Sequence, residues 1–265
     1  MDLGFKGKTA LVTGAGSQKG FGREIALLLA KEGCDAVAVT DIIDDVQKTA
    51  DDIKKIGSKS IAVKADITKK AEVDEMVKKV LDEYGKIDIL CNVAGAILHK
   101  DYVPLDEQKY ETWAKQMDLN LFGTMHVTRA VLPQMRKLKN GAIVNIGSGS
   151  THQYSFGVAV YAISKYAIDL FTRQLAYQEG KNGIRCNCIA PGPAPTNFGA
   201  VLREGMPPMP PEQAEKMREN MLAAFPLGRM GTPADIANIT IIMASDVTNY
   251  ITGQVIQVSG GNVME

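Results

Sequence analysis

Tyr161 and Lys165 stand four residues apart in the stretch Tyr161-Ala162-Ile163-Ser164-Lys165. On a helix that spacing places phenol and ammonium on one face, one turn apart. A free tyrosine titrates near pH 10 and is a poor base at neutral pH. A cation about 4 to 5 Å away is worth roughly 3 to 4 kcal/mol at an effective dielectric of about 20, which lowers a phenol by about two to three units. The pair therefore suits proton transfer at an alcohol or ketone oxygen, although an exposed Tyr/Lys helix pair is common and usually inert. Ser148, thirteen residues before Tyr161, follows the apolar run Ile143-Val144-Asn145-Ile146. It is expected at the carboxyl end of a strand, where its hydroxyl can hydrogen-bond a substrate oxygen.

A second constellation lies near the start, where Thr13-Gly-Ala-Gly-Ser-Gln-Lys-Gly-Phe-Gly22 separates an apolar strand-like run from a helix-like one. Glycines 14, 16, 20 and 22 let backbone amides and a helix N-terminus approach a pyrophosphate. Ser17, Gln18, Lys19 and Phe21 complete the loop, with Ser17 to Lys19 expected as a bulge near an adenosine ribose. Gly16 is expected to serve the enlarged turn. Asp41 ends the next strand, nineteen residues beyond Gly22, where an acid receives ribose hydroxyls. Its charge repels a 2′-phosphate and so favours NAD, whereas Lys19 offers that phosphate a cation and keeps NADP possible; Asp41→Ala should relax the preference. A solvated loop acid or a helix cap is the plainer reading of Asp41. Asp66, followed by Ile67 and Thr68, can accept from an adenine amino group or simply cap a helix.

These residues need strand ends to carry them, and the chain supplies an alternation. Strands are expected at Lys8 to Thr13, Ala36 to Thr40, Ser60 to Ala65, Ile87 to Asn92, Ala142 to Gly147, Ile184 to Ala190 and Gln254 to Val258. Helices are expected from about Gly22, through Ile53, from about Lys70 to Tyr84, Asp106 to Met135, Val158 to Glu179 and Ala234 to Ser245. Strands that are apolar throughout are buried on both faces, as in a parallel sheet covered by helices. The expectation is a single domain over 1–265, a doubly wound parallel sheet with helices on both faces. Prolines and methionines gather between Gly192 and Pro226, including the run from Met206 to Pro211. Because proline blocks regular structure, that stretch is expected to be irregular and, at about 193–226, to form a lid over a pocket.

At 265 residues, 45% of them apolar, the chain can bury a large core, and 30 basic residues balance 30 acidic ones. No general field for nucleic acid or an anionic membrane results, so a small-molecule partner is favoured. No signal-like N-terminus or long apolar span is present, which points to a cytoplasmic protein. Four cysteines in mostly strand-like runs suit a reducing compartment. Cys186 and Cys188 lack a second ligand pair at metal-binding spacing, so no metal is expected.

Taken together, Thr13-Gly14 with Gly20 and Gly22, Asp66, Asn92-Val93-Ala94-Gly95, Asn120, Ser148, Tyr161 with Lys165, Asn187, and Pro191-Gly192 followed by Thr196 resemble the short-chain dehydrogenase/reductase family over essentially the whole chain. The resemblance implies a Rossmann-type fold, Tyr161 as catalytic acid/base, Lys165 lowering its pKa and binding the nicotinamide ribose, Ser148 orienting substrate, and Asn120 holding a relay water. It also implies that Asn92, Ala94 and Gly95 support the adenine side and that Pro191, Gly192 and Thr196 hold the carboxamide. A homotetramer is implied, with the helices at 106–135 and 158–179 in one interface and the C-terminal strand in another.

Two departures stand out: two extra residues between Gly14 and Gly20, and Val93 in place of a second asparagine. Longer glycine loops also occur in a branch that reduces enoyl thioesters through Tyr-x6-Lys, but the residue seven after Tyr154 is Tyr161. Carbonyl/alcohol chemistry is therefore favoured. The expected activity is NAD(H)-dependent interconversion of a secondary alcohol and a ketone. His152, Tyr154 and neighbouring Gln153 and Phe156, with Ile97, Leu98 and His99, are candidates to line a substrate pocket, although both histidines also read as surface residues. The mixture suits a hydroxylated ring (cyclic polyol, sugar acid or steroid); alternatives are a 3-oxoacyl thioester and a non-catalytic NAD-binding sensor or structural protein.

Overall fold

The computed structural model describes residues 2–98, 103–152, 157–196 and 210–264. Seven parallel strands, β1 (Thr9–Thr13), β2 (Ala36–Asp41), β3 (Ala62–Lys64), β4 (Ile89–Asn92), β5 (Gly141–Ile146), β6 (Ile184–Pro191) and β7 (Val255–Val258), form one sheet in the order β3-β2-β1-β4-β5-β6-β7. The helices are α1 (Phe21–Lys31), α2 (Val46–Ile56), α3 (Lys70–Tyr84), α4 (Tyr110–Met117), α5 (Gly123–Leu138), α6 (Ala159–Glu179), α7 (Pro211–Ala223) and α8 (Pro233–Ala244). This is the doubly wound sheet anticipated from the apolar strand runs.

Alternation along the buried strands divides the interior into two cores. Ala10 and Val12 of β1 face α1, α2 and α8 through Ile25, Leu29, Ile53 and Ile241. Leu11 between them faces α3, α5 and α6 through Val77, Val131 and Leu175. Because β2 and β4 flank β1 on opposite sides, the strand order reverses beside β1. That reversal opens a crevice at the strands' carboxyl ends, where open α/β sheets bind ligands.

Two elements differ from the sequence reading. The single helix expected over 106–135 is a short turn at Leu105–Glu107, then α4 and α5 joined by a π-helical turn, Asp118–Phe122. Apolar periodicity cannot register one wider turn inside an otherwise continuous helix. The proline-rich stretch contains α7, which starts at Pro211. Proline in a first helical turn loses no hydrogen bond, so Pro211, expected to be irregular, begins a helix. All four cysteines are buried as free thiols. Among the described residues no helix is long and apolar enough to cross a membrane.

Candidate active site

The turn after β1 is drawn tight by one hydroxyl. Thr13 Oγ1 accepts the amides of both Val93 and Ala94, each at 3.0 Å, so the ends of β1 and β4 are tied across the crevice. Gly14 has φ of +68°, and a Cβ there would come within 2.7 Å of the Ala94 backbone. Only glycine permits that approach. Gly20 precedes α1 with no side-chain cap, which leaves first-turn amides facing the crevice for an anion.

Asp41 is held by backbone donors. Its Oδ2 accepts from Gly16 N at 2.8 Å, and its Oδ1 from Ile42 N at 2.7 Å and Ile43 N at 3.3 Å. A carboxylate has about four acceptor directions, so one remains open. Gly16 is a close-approach residue rather than a mere turn residue, because its Cβ would lie 2.9 Å from Asp41 Cγ. Gln18 folds back onto Gly16 and onto the Asp45 carbonyl, and Lys19 is exposed.

Several residues expected at the cofactor also brace the fold. Asn92, 3% exposed, donates to Thr128 Oγ1 at 3.0 Å and Asn145 Oδ1 at 2.9 Å inside the core. Asp66 Oδ1 accepts from Thr68 N and Oγ1. These bonds, with Lys69, outweigh burial and lower its carboxyl below the usual range. Ile67 packs toward Gly123, and its carbonyl meets His126 Nδ1 at 3.1 Å. Asn187 ties β6 to Ile251 and Gln254 before β7. Pro191 closes β6, Gly192 donates to Val258 O at 2.9 Å, and Thr196 N to Ala194 O at 2.9 Å.

The other side of the crevice gathers the proton-transfer candidates. Ser148 follows β5 and is 9% exposed; its Oγ accepts from Ser150 N at 3.1 Å and Ser150 Oγ at 2.9 Å. Tyr161, in the first turn of α6, is 7% exposed and hydrogen-bonded to Ser148. Lys165 Nζ donates to Ile146 O at 2.8 Å and lies 6.0 Å from the Tyr161 ring centroid. Asn120 sits in the π turn, accepts from Ala96 N at 3.1 Å and donates to Ser164 Oγ at 2.9 Å. A Cβ on Gly95 would meet Asn120 Oδ1 at 2.9 Å and Lys165 Nζ at 3.1 Å, so β4, the π turn and α6 converge there.

The electrostatics differ from the sequence expectation. Burial pushes the Tyr161 phenol up to about 12, against the opposing Ser148 hydrogen bond. Burial likewise lowers the Lys165 ammonium to about 8, held up in part by buried Cys188 and Asp169. Proximity alone favours the phenolate, but desolvation penalises the charged form of both groups and dominates here.

Gln116 was missed by the sequence reading. It is 2% exposed, donates to Ala96 O at 2.7 Å and accepts from Leu98 N at 3.0 Å, fixing the turn beyond β4. Its signal was the amide four residues before Asn120 on one helical face. His152 ends the short helix after Ser148 and is partly buried. Tyr154, Gln153, Phe156 and His99 lie outside the described residues, whereas Ile97 is buried. No metal-holding group of His, Cys, Asp or Glu occurs among the described residues.

Uncapped helix amides after β1, a carboxylate after β2 and a Ser/Tyr/Lys group after β5 are the arrangement of an oxidoreductase. The chain belongs to the short-chain dehydrogenase/reductase family. A family model described as Enoyl-(Acyl carrier protein) reductase matches residues 14–262. The 3-oxoacyl-[acyl-carrier-protein] reductase FabG of Staphylococcus epidermidis is 36% identical over 258 residues, 97% of this chain and 99% of the relative. Subunit BbsD of the (2S)-[(R)-hydroxy(phenyl)methyl]succinyl-CoA dehydrogenase of Thauera aromatica is 37% identical over 260 residues, 98% of each chain. A solved 7α-hydroxysteroid dehydrogenase complexed with NADH and 7-oxo glycochenodeoxycholic acid has a TM-score of 0.87 and 34% identity, covering 100% of this chain and 97% of that one. Enzymes of this family use a nicotinamide cofactor, and the uncapped α1 terminus with the strand-end acid fits one.

Proposed function

We propose that the chain is an NAD(H)-dependent oxidoreductase that interconverts a secondary alcohol and a ketone, with Tyr161 as acid/base. The observation that carries this reading is the buried Ser148–Tyr161 hydrogen bond at the end of β5 with Lys165 behind it. When bound, the nicotinamide supplies or takes up hydride. Ser148 orients the substrate oxygen, Tyr161 gives it a proton in reduction and removes one in oxidation, and Asn120 connects that proton to solvent. Gly14, Gly20, Phe21 and Gly22 hold the pyrophosphate, and Asp41 takes the ribose hydroxyls and favours NAD over NADP. Asp66, Ile67, Ala94 and Gly95 flank the adenosine, and Pro191, Gly192 and Thr196 hold the carboxamide.

The substrate we favour is a hydroxylated ring, with residues of the 193–226 segment as its lid and His152 and Tyr154 as contacts. The FabG and BbsD relatives support a second reading, reduction of a 3-oxoacyl thioester. An absorbance screen at the nicotinamide band over cyclic polyols, sugar acids, hydroxysteroids and 3-oxoacyl thioesters, run with NAD(H) and NADP(H), tests both. Turnover of none of them would sink the proposal. Tyr166, Leu170 and Tyr177 are exposed on α6, which supports self-association through that helix, as in the proposed homotetramer; light scattering that gives a single-chain mass would refute the assembly.

The proposed ribose contact has a pH signature. Lys165 in the uncomplexed protein titrates at about 8, and the ammonium is the form that donates to ribose hydroxyls. A group whose proton is held more tightly in the complex weakens binding as pH rises through its free pKa. The NADH dissociation constant should therefore be flat below pH 7 and rise above pH 8, by up to about tenfold per unit. Lys165→Met should remove the slope. A constant that does not change between pH 7 and 9.5 in the unmutated protein would contradict the assignment.

A further inference from the structure

The residues inserted in the glycine loop form a clasp. Gln18 Nε2 donates to Gly16 O at 2.9 Å and to Asp45 O at 3.2 Å, so one amide joins the loop after β1 to the turn after β2. Its Oε1 accepts from Arg23 Nε at 3.0 Å, and Arg23 Nη2 pairs with Asp52 on α2 at 2.7 Å. The Arg23 side chain is only 22% exposed. The same Gly16 that accepts from Gln18 gives its amide to Asp41. The clasp therefore closes over the carboxylate proposed to meet the ribose. Other cations on the rim are also engaged, Lys48 with Asp45 and Lys64 with Asp44. Lys19 is exposed and has no ion pair among the described residues.

We propose that Gln18 determines coenzyme choice. It closes the glycine loop on the β2–α2 turn at Asp41 and keeps the Arg23 guanidinium paired with Asp52, so that a 2′-phosphate is denied the Arg23 guanidinium and meets only the exposed Lys19. A guanidinium is the side chain best shaped to grip a phosphate, and here it is withheld. The inference rests on the reading of Asp41 as the ribose acceptor.

The test is fluorescence titration of NADH and NADPH against the whole protein. Gln18→Leu removes the three hydrogen bonds of the Gln18 side chain at similar volume, and Asp52→Asn weakens the hold on Arg23 from outside the loop. Each should raise NADPH affinity relative to NADH by about tenfold, the scale of one charged hydrogen bond. The gain should shrink with added salt. Arg23→Gln in the Gln18→Leu background should return the ratio toward that of the unmutated protein, and a ratio still raised there would overturn the Arg23 part. If Gln18→Leu loses its circular dichroism spectrum, Asp52→Asn carries the test. A ratio unmoved by Gln18→Leu and Asp52→Asn, with Asp41→Ala shifting it, overturns the proposal and leaves the ribose reading intact. A ratio unmoved by Asp41→Ala as well overturns the ribose reading itself.

Discussion

Tyr161→Phe is expected to lower kcat for alcohol oxidation and ketone reduction by about 10²- to 10⁴-fold, the range supplied by a positioned general acid or base. NADH affinity should change little, because the substitution keeps the ring and leaves Lys165 in place. The fold should also survive. Only one oxygen is removed, and Ser148 keeps the bonds it receives from Ser150. The high phenol pKa gives the two directions different pH behaviour. A tyrosine held near 12 in the uncomplexed protein carries its proton throughout the neutral range, so reduction has its acid ready and should be nearly pH-independent there. Oxidation needs the phenolate and should rise with pH. Steady-state kinetics of both directions, with a thermal melt and an NADH titration of the same preparation, check this. Turnover within tenfold of the unmutated protein, with folding and binding intact, would remove Tyr161 from the acid/base role.

The candidate site was legible where chemistry depends on residue type and strand-end position. Ser148, Tyr161 and Lys165 meet after β5 because an apolar strand, a short turn and an α-helix can be read from local pattern. Asp41 likewise falls at the end of β2. Burial was not legible, since four-residue spacing states proximity on α6 but not what covers it. The pKa directions at Tyr161 and Lys165 therefore required the packed site. Asn92 shows the same gap: its type suited a crevice contact, but that its side-chain NH2 also joins Thr128 to Asn145 could be seen only in the packed core. The π turn around Asn120 leaves no periodic trace, and α7 was hidden because prolines were read as breakers without regard to which of them starts a helix. Gln18 lay in an insertion whose course depends on a contact with Asp45, far from it in sequence, and on Arg23, itself held by Asp52 of α2.

The largest structural effect is expected at the helix entry. A Cβ on Gly22 would lie 2.3 Å from Gly14 O, 2.7 Å from Gly14 C and 3.0 Å from Thr13 O. All three are backbone atoms at the end of β1, so no side chain can rotate away and α1 itself must move. Against this, alanine in place of a helical glycine gains about 1 kcal/mol of propensity. Overpacking costs about 1 to 3 kcal/mol and more where backbone is displaced, so the overlap outweighs the propensity gain. A net loss of about 3 kcal/mol lowers Tm by about 6 to 12 °C for a chain of this size. The comparison is Gly180→Ala, where φ is −54° and nothing lies within 4 Å. There propensity acts alone and Tm should hold or rise slightly. Because displacing α1 also turns its first amides away from the proposed pyrophosphate position, Gly22→Ala should weaken NADH binding at least tenfold at a temperature where it remains folded. A Gly22→Ala melt within 2 °C of the unmutated protein would mean that α1 and β1 have slack the structure does not show. Unaltered NADH affinity alongside a lowered Tm would instead detach the helix terminus from cofactor binding.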